Sequence, residues 1–215
     1  MFPAAGVTFL EELSANNHKD WFLAHKQTYE AAIKEPSKEF ASAIAHGLED
    51  ILGGPLNHKI FRLNRDLRFS KDKTPYNTHM RFAFWQNSAA KPMATPAFYL
   101  SIEANQWMLG TGCLQMPGAM LASFRAAMKA EDKATKLNSL ITGLTNSGKD
   151  LSEPELKRTP HGIDPTHPEE THMRRKGLVC WHREEQNIPA DITAEQILTA
   201  ATAMAPLYHW LRALE

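Results

Sequence analysis

Cysteine is scarce: the chain has two among 215 residues, Cys113 and Cys180, and they form no C-x-x-C pair. That excludes a disulfide framework, and both thiols are expected reduced. Long apolar runs are missing as well. No stretch approaches the ~18 apolar residues of a membrane span. The first residues carry no basic cluster, and Glu11 and Glu12 interrupt them. Net charge is also lacking, since Lys plus Arg and Asp plus Glu number 24 each. A protein that covers nucleic acid or a membrane with its whole surface would carry a basic excess. Repeats, low-complexity tracts and convincing linkers are absent too. The expectation is a soluble, cytoplasmic protein with no membrane partner, folded as a single domain over residues 1–215.

Several catalytic signatures are also missing. The chain holds no G-x-S-x-G, and Gly110-Thr111-Gly112 lacks the context of a phosphate loop. Cys113 has no evident activating base, which makes an inert thiol the default.

What is present is a change of periodicity. Residues 1–52 read as helical. Thr8 is expected to cap a first helix and Asn16 or Asn17 a second, in which Trp21, His25, Tyr29 and Ile33 recur at four-residue spacing. Pro36 suits the first turn of a third, with Phe40, Ile44, Leu48 and Ile51 as its buried stripe. Period two then takes over. His58–Arg62 reads as a short strand, Met80–Gln86 as a strand with one buried face, and Phe98–Ile102 with Trp107–Thr111 as a hairpin turning at Ala104-Asn105. Asn87–Pro96 reads as an exposed loop. Helices follow from Pro117 and over Lys133–Leu144, then an irregular stretch at Glu153–His167 and a strand at Leu178–Arg183. Thr193 with Gln196 forms a capping box for a last helix that Pro206 should kink. Runs of helix, then strand, then helix predict an α+β fold: a mainly antiparallel sheet flanked by N-terminal and C-terminal helices.

Charge is concentrated in one place. Between His58 and Arg81 lie Lys59, Arg62, Arg65, Arg68, Lys71, Lys73 and Arg81, against Asp66 and Asp72. This segment carries +5 in a chain whose total is zero, leaving −5 elsewhere. An anionic ligand would offset the self-repulsion, because Arg grips carboxylate or phosphate through paired hydrogen bonds. Ser70, Thr74 and Tyr76 add hydroxyl donors. The predicted ligand-binding set is Arg62, Arg65, Asp66, Arg68, Ser70, Lys71, Lys73 and Tyr76, with Tyr76 and His79 as proton-transfer candidates. The expected partner is an anionic small molecule, with nucleic acid the lesser candidate. Two alternatives stand beside it: a nucleic-acid module with Trp85 or Tyr76 as stacking platforms, and a structural network of Arg–Asp pairs such as Arg65–Asp66. No cofactor follows from these residues.

The same segment resembles the signature of the DUF2461 family: Arg62, Arg65-Asp66, then Arg68-Phe69-Ser70-Lys71-Asp72-Lys73-Thr74-Pro75-Tyr76. The N-terminal residues Phe9-Leu10, Leu13, Asn16-Asn17, Trp21-Phe22, Lys26 and Tyr29 are similar too, as are Lys157-Arg158, Pro160, Gly162, Asp164, His167-Pro168 and Arg175-Lys176-Gly177. Asn77 and His161 stand where this family more often has Lys. The resemblance implies a fold and a site but no reaction, since the family is uncharacterised. Finally, His161-x-x-Asp164-x-x-His167 has ligand types compatible with a divalent metal, with Asp164 and His167 the candidates. Hydrogen bonds that hold their loop are the alternative.

Overall fold

Strands that alternate apolar and polar side chains must have one face covered, and here helices from both ends of the chain cover it. The computed structural model describes residues 1–87, 89–185 and 190–215. Among them, six strands form one sheet: β1 (Asn57–Phe61), β2 (Met80–Trp85), β3 (Ala97–Ile102), β4 (Gln106–Cys113), β5 (Asp150–Leu151) and β6 (Leu178–Glu185). Their order is β1-β2-β3-β4-β6-β5, and every neighbouring pair is antiparallel. Helices α1 (Ala4–Ala15), α2 (Lys19–Ala24), α3 (Lys26–Tyr29) and α4 (Glu35–Leu52) precede the sheet, with a π-helical turn at Glu30–Lys34 before α4. Helices α5 (Gly118–Lys129), α6 (Glu131–Asn146) and α7 (Glu170–Met173) are inserted between strands, and α8 (Ala194–Arg212) follows the last strand. The fold is α+β.

The core lies between the sheet and the pair α4 and α8, which pack on each other and on β1 and β4. Phe40, Ile44 and Leu48 from α4 and Ile197, Met204 and Tyr208 from α8 are fully buried against Phe82, Phe84, Phe98 and Leu109. Burying each such side chain contributes about 1.5–3 kcal/mol. Phe40 meets Phe82 nearly edge-on at 6.0 Å, and Tyr208 stacks on Phe98 at 5.6 Å. The β3–β4 register pairs Phe98 with Thr111, Leu100 with Leu109 and Ile102 with Trp107, the hairpin expected from the alternation.

Most differences from the sequence reading lie at element ends, but the short elements β5 and α7 and the break of the second helix into α2, α3 and a π turn have no counterpart in it. Helix α1 begins four residues before Thr8, because the Asp191 carboxylate, distant in sequence, accepts from the Ala4 N–H at 2.7 Å. His18, not Asn16 or Asn17, caps α2 by accepting from the Trp21 N–H. Pro36 does sit in the first turn of α4, but α3 and the π turn run directly into it. Asn87–Pro96 is only partly a surface loop: Thr95 and Pro96 are buried, and Pro92 C=O accepts from the Tyr99 hydroxyl at 2.6 Å. Ser88 of this loop lies outside the described residues. The capping box of Thr193 and Gln196 is present, and α8 continues through Pro206 to Arg212. No helix among the described residues is long and apolar enough to cross a membrane.

The irregular Glu153–His167 stretch is fastened by a buried polar cluster. Arg175, 3% exposed, donates through Nε to His172 Nδ1 at 3.3 Å and through Nη1 to the Ser152 carbonyl. Since Nδ1 accepts, the imidazole proton is on Nε2, which donates to Asn138 Oδ1 at 2.9 Å. Asn138 in turn donates to Glu169 at 2.8 Å. Burial, then the Arg175 charge, holds the His172 imidazole below its ordinary value, while Glu169 pulls the other way. The unfolded chain takes up a proton near pH ~6.5 that this cluster resists, so stability is full above that value and falls as the pH drops below it. His172→Gln should flatten the decline of melting temperature between pH 7 and 5, though His79 and His182, also shifted down by burial, retain part of it. Thermal denaturation across that pH range checks this; an unaltered slope counts against it.

Candidate functional site

The basic segment forms the connection between β1 and β2, which are neighbours in the sheet. Its base continues their ladder irregularly. Leu63 is buried, Asn64 and Tyr76 form an antiparallel bridge, the Arg65 N–H donates to Pro75 C=O at 2.9 Å, and the Asn77 N–H donates to Leu63 C=O at 2.7 Å. The Asn17 side chain then acts as a short third strand. Its Nδ2 donates to Tyr76 C=O at 2.9 Å, and its Oδ1 accepts from the Tyr76 N–H at 3.1 Å. Asn17 therefore neither caps a helix nor points into a cavity; it clamps the base of the loop. The Tyr76 ring stacks on Phe22 at 4.1 Å, so two aromatic residues from distant segments close the clamp.

Arg62, Arg65 and Arg68 recur every three residues and border one cleft, but their side chains are engaged differently. Arg65 turns inward and organises the loop: Nη1 donates to Asp72 Oδ2 at 2.5 Å and to the hydroxyl and carbonyl of Thr74, and Nη2 to Ser70 Oγ at 3.3 Å. Asp72 also accepts from the Thr74 N–H at 2.9 Å. That backbone donor first, then Arg65 and the Thr74 hydroxyl, depress the Asp72 carboxyl to about 2. Arg68 points outward and grips Asp66 with Nε at 2.9 Å and Nη2 at 2.6 Å, which lowers the Asp66 carboxyl. Lys73 donates to the Leu67 carbonyl at 3.1 Å. The two carboxylates thus neutralise Arg65 and Arg68; the pairs are Arg65–Asp72 and Arg68–Asp66, not the Arg65–Asp66 pair given as the example of a structural network. The Arg68–Asp66 pair is exposed, with the Arg68 side chain 77% exposed, whereas Arg65 is largely covered but its partner Asp72 is 60% exposed.

Beside this loop is an open cleft of about 450 Å³ lined by Lys19, Arg62, Arg65, Asp66, Arg68 and Tyr76. Among the described residues, no carboxylate lies within ion-pair distance of Arg62 or Lys19. Lys19, from the first turn of α2, is a cation that sequence reasoning passed over, because only the fold brings it to the motif. Ser70 is engaged by Arg65, and Lys71 and Lys73 are exposed on the loop. Phe69 is 94% exposed with the Arg68 guanidinium over its ring at 5.9 Å.

The two proton-transfer candidates are not brought together. Tyr76 belongs to this cleft, and burial raises its phenol. His79 lines a separate groove on the opposite face of the sheet from the helices. Trp85 is also on that face, packed with Ala83, Ala97 and Tyr99. In the His161–His167 loop, Asp164 accepts from the N–H and hydroxyl of Thr166, both at 2.8 Å, and His167 Nδ1 accepts from the Glu169 N–H at 3.0 Å. Both side chains fasten the loop, and no group of three potential metal ligands occurs among the described residues. Gly110-Thr111-Gly112 is part of β4, where a Cβ on Gly112 would lie 2.0 Å from the Leu178 carbonyl oxygen. Burial pushes both cysteine thiols up to about 11, which leaves them poor nucleophiles.

The clamp makes a testable claim about the loop. Asn17→Ala strands a backbone N–H and C=O at Tyr76, at a cost of about 1–3 kcal/mol. Amide exchange at Tyr76 and Arg65 should accelerate well beyond that in the sheet; uniform acceleration across β2 and β3 would contradict a local role.

No curated protein matches this chain. The family model described as "Conserved hypothetical protein (DUF2461)" matches residues 5–210, so the Asn17 clamp, the basic loop and the Arg175 cluster all lie within the matched span, and the chain belongs to the DUF2461 family.

Proposed function

We propose that this protein binds an anionic small molecule, phosphate- or carboxylate-bearing, in the cleft between α2 and the basic loop. The observation that carries this reading is the pairing pattern. Asp66 and Asp72 neutralise Arg68 and Arg65, whereas among the described residues no carboxylate lies within ion-pair distance of Arg62 or Lys19 in the same cleft, although Asp66 feels the Arg62 charge. Arg65, held by Ser70, Asp72 and Thr74, is preorganised by the loop itself. A preorganised cationic cleft lowers the cost of ordering side chains when an anion arrives. Tyr76 and Asn64 complete the lining. The proposal is binding alone: Tyr76 is buried and stacked on Phe22, and burial raises its phenol, which keeps it protonated.

Exposed Phe69, with Arg68 over its ring and Lys71 nearby in sequence, favours a second reading in which a single-stranded nucleic acid stacks there. Tyr76 and Trp85 do not serve that purpose: Tyr76 is stacked on Phe22, and Trp85 lies on the far face of the sheet.

Thermal shift and calorimetry with phosphate, pyrophosphate and citrate test the first reading. Arg62→Ala combined with Lys19→Ala should weaken binding by tenfold or more, since charge-assisted hydrogen bonds contribute about 1.5–3 kcal/mol each. Asp66→Asn, which releases Arg68, should strengthen it. Arg65→Ala is the poorer probe because it unfastens the loop. No response to any of these anions in the wild type would sink the proposal. Steeply salt-dependent binding of a single-stranded oligonucleotide, lost in Phe69→Ala, would transfer the site to the second reading.

A further inference from the structure

The sheet face turned away from α4 and α8 carries its own groove, of about 400 Å³, within the range of small-molecule sites. Strand parity dictates its contents. With Phe82 and Leu100 facing the helices, Arg81, Tyr99 and Ser101 face the other way, joined by Phe61, Met108 and Trp181 from β1, β4 and β6. Met93 and Leu114, 53% and 37% exposed, are two large apolar side chains left open to solvent, and both line this groove.

Two features make the groove a built site. The first is its aromatic floor. Gly110 pairs with Trp181, and a Cβ on Gly110 would sit 2.5 Å from carbons of the indole's six-membered ring. The missing side chain lets the indole lie across the strand as a flat surface beside Tyr99, whose ring centroid is 6.4 Å away. The second is the charge at one end. Arg81 of β2 lines the groove with His79 and Glu103, which lie just beyond the ends of β2 and β3; extending the Arg81–Ser101 register sets Glu103 diagonal to Arg81 and opposite His79. Among the described residues neither Arg81 nor Glu103 has an ion-pair partner. Arg81 lies over the Phe61 ring at 5.6 Å, and Glu103 accepts only from the neutral Gln106 amide at 2.9 Å. His79 feels both charges: burial first, then Arg81, holds its imidazole below its ordinary value, while Glu103 pulls the other way. An unpaired cation and an unpaired anion held apart at the end of an aromatic groove complement a ligand carrying both charges close together.

We infer that this groove binds an aromatic α-amino acid or a close zwitterionic analogue, its ring against Trp181 and Tyr99, its carboxylate on Arg81 and its ammonium on Glu103. The site shares no residue with the Lys19–Arg62 cleft, so the two readings stand or fall separately.

The test is calorimetry on the full chain with three probes of one ring and different charge: L-tryptophan, indole-3-propionate and tryptamine. L-tryptophan should bind at least tenfold more tightly than either singly charged probe. Arg81→Met should reduce L-tryptophan and indole-3-propionate binding about tenfold while sparing tryptamine, and Glu103→Gln should reduce L-tryptophan and tryptamine binding about tenfold while sparing indole-3-propionate. Both substitutions are on the solvent side of the sheet, and wild-type-like circular dichroism and melting temperature confirm folding. Should either variant misfold, Ser101→Trp, which fills the groove from the same face, should abolish binding of all three probes. Equal affinity for the three probes, no binding at millimolar concentration, or displacement of L-tryptophan by a single-stranded oligonucleotide would overturn the inference.

Discussion

Everything in this molecule follows from the two-residue period of its antiparallel sheet. Once Phe82, Phe84, Phe98, Leu100 and Leu109 are committed to α4 and α8, the intervening positions are committed to the opposite face. A shift of one residue in the β2–β3 register would turn Arg81 toward Phe40 and Phe82 toward solvent, exchanging a buried phenyl for a buried guanidinium. The cost of desolvating an unpaired charge makes that alternative prohibitive. The register that protects the core also gathers Phe61, Arg81, Tyr99 and Trp181 on the uncovered side. Core and groove have one physical origin.

The basic loop depends on the same sheet. It leaves β1 and returns to β2, so its two ends are held at the spacing of adjacent strands, and only its interior must be ordered by its own side chains. Arg65 does most of this, gathering Ser70, Asp72 and Thr74 around one guanidinium. These bonds are exposed to water, where ion pairs contribute little to global stability. Their effect is conformational: they select one loop shape and leave Arg62 facing the cleft.

Much of this was legible in the sequence because it is local. The β3–β4 hairpin follows from alternation around Ala104-Asn105, and the Thr193–Gln196 capping box from a four-residue pattern. The basic segment stands out by charge alone. What the sequence hid involves partners far apart along the chain. Asn17 has the chemistry of a helix cap, and only the proximity of Tyr76 assigns it elsewhere. Which carboxylate pairs with Arg65 depends on a loop path that no periodicity encodes. Lys19 reaches the cleft, and His79 the opposite face, through the packing of α2 and the parity of β2. The groove was invisible for the same reason, since its residues come from five strands and the connections beside them, each unexceptional alone.

The Asp191 cap on α1 carries a further consequence. The first turn of the first helix is completed by a carboxylate just ahead of the last helix, and Phe2 and Ile192 exchange backbone hydrogen bonds beside it. The chain therefore closes like a clasp: Phe2 and Ala4 are held by Asp191 and Ile192, residues almost the whole length of the fold away, so loosening either partner frees both the start of α1 and the approach to α8.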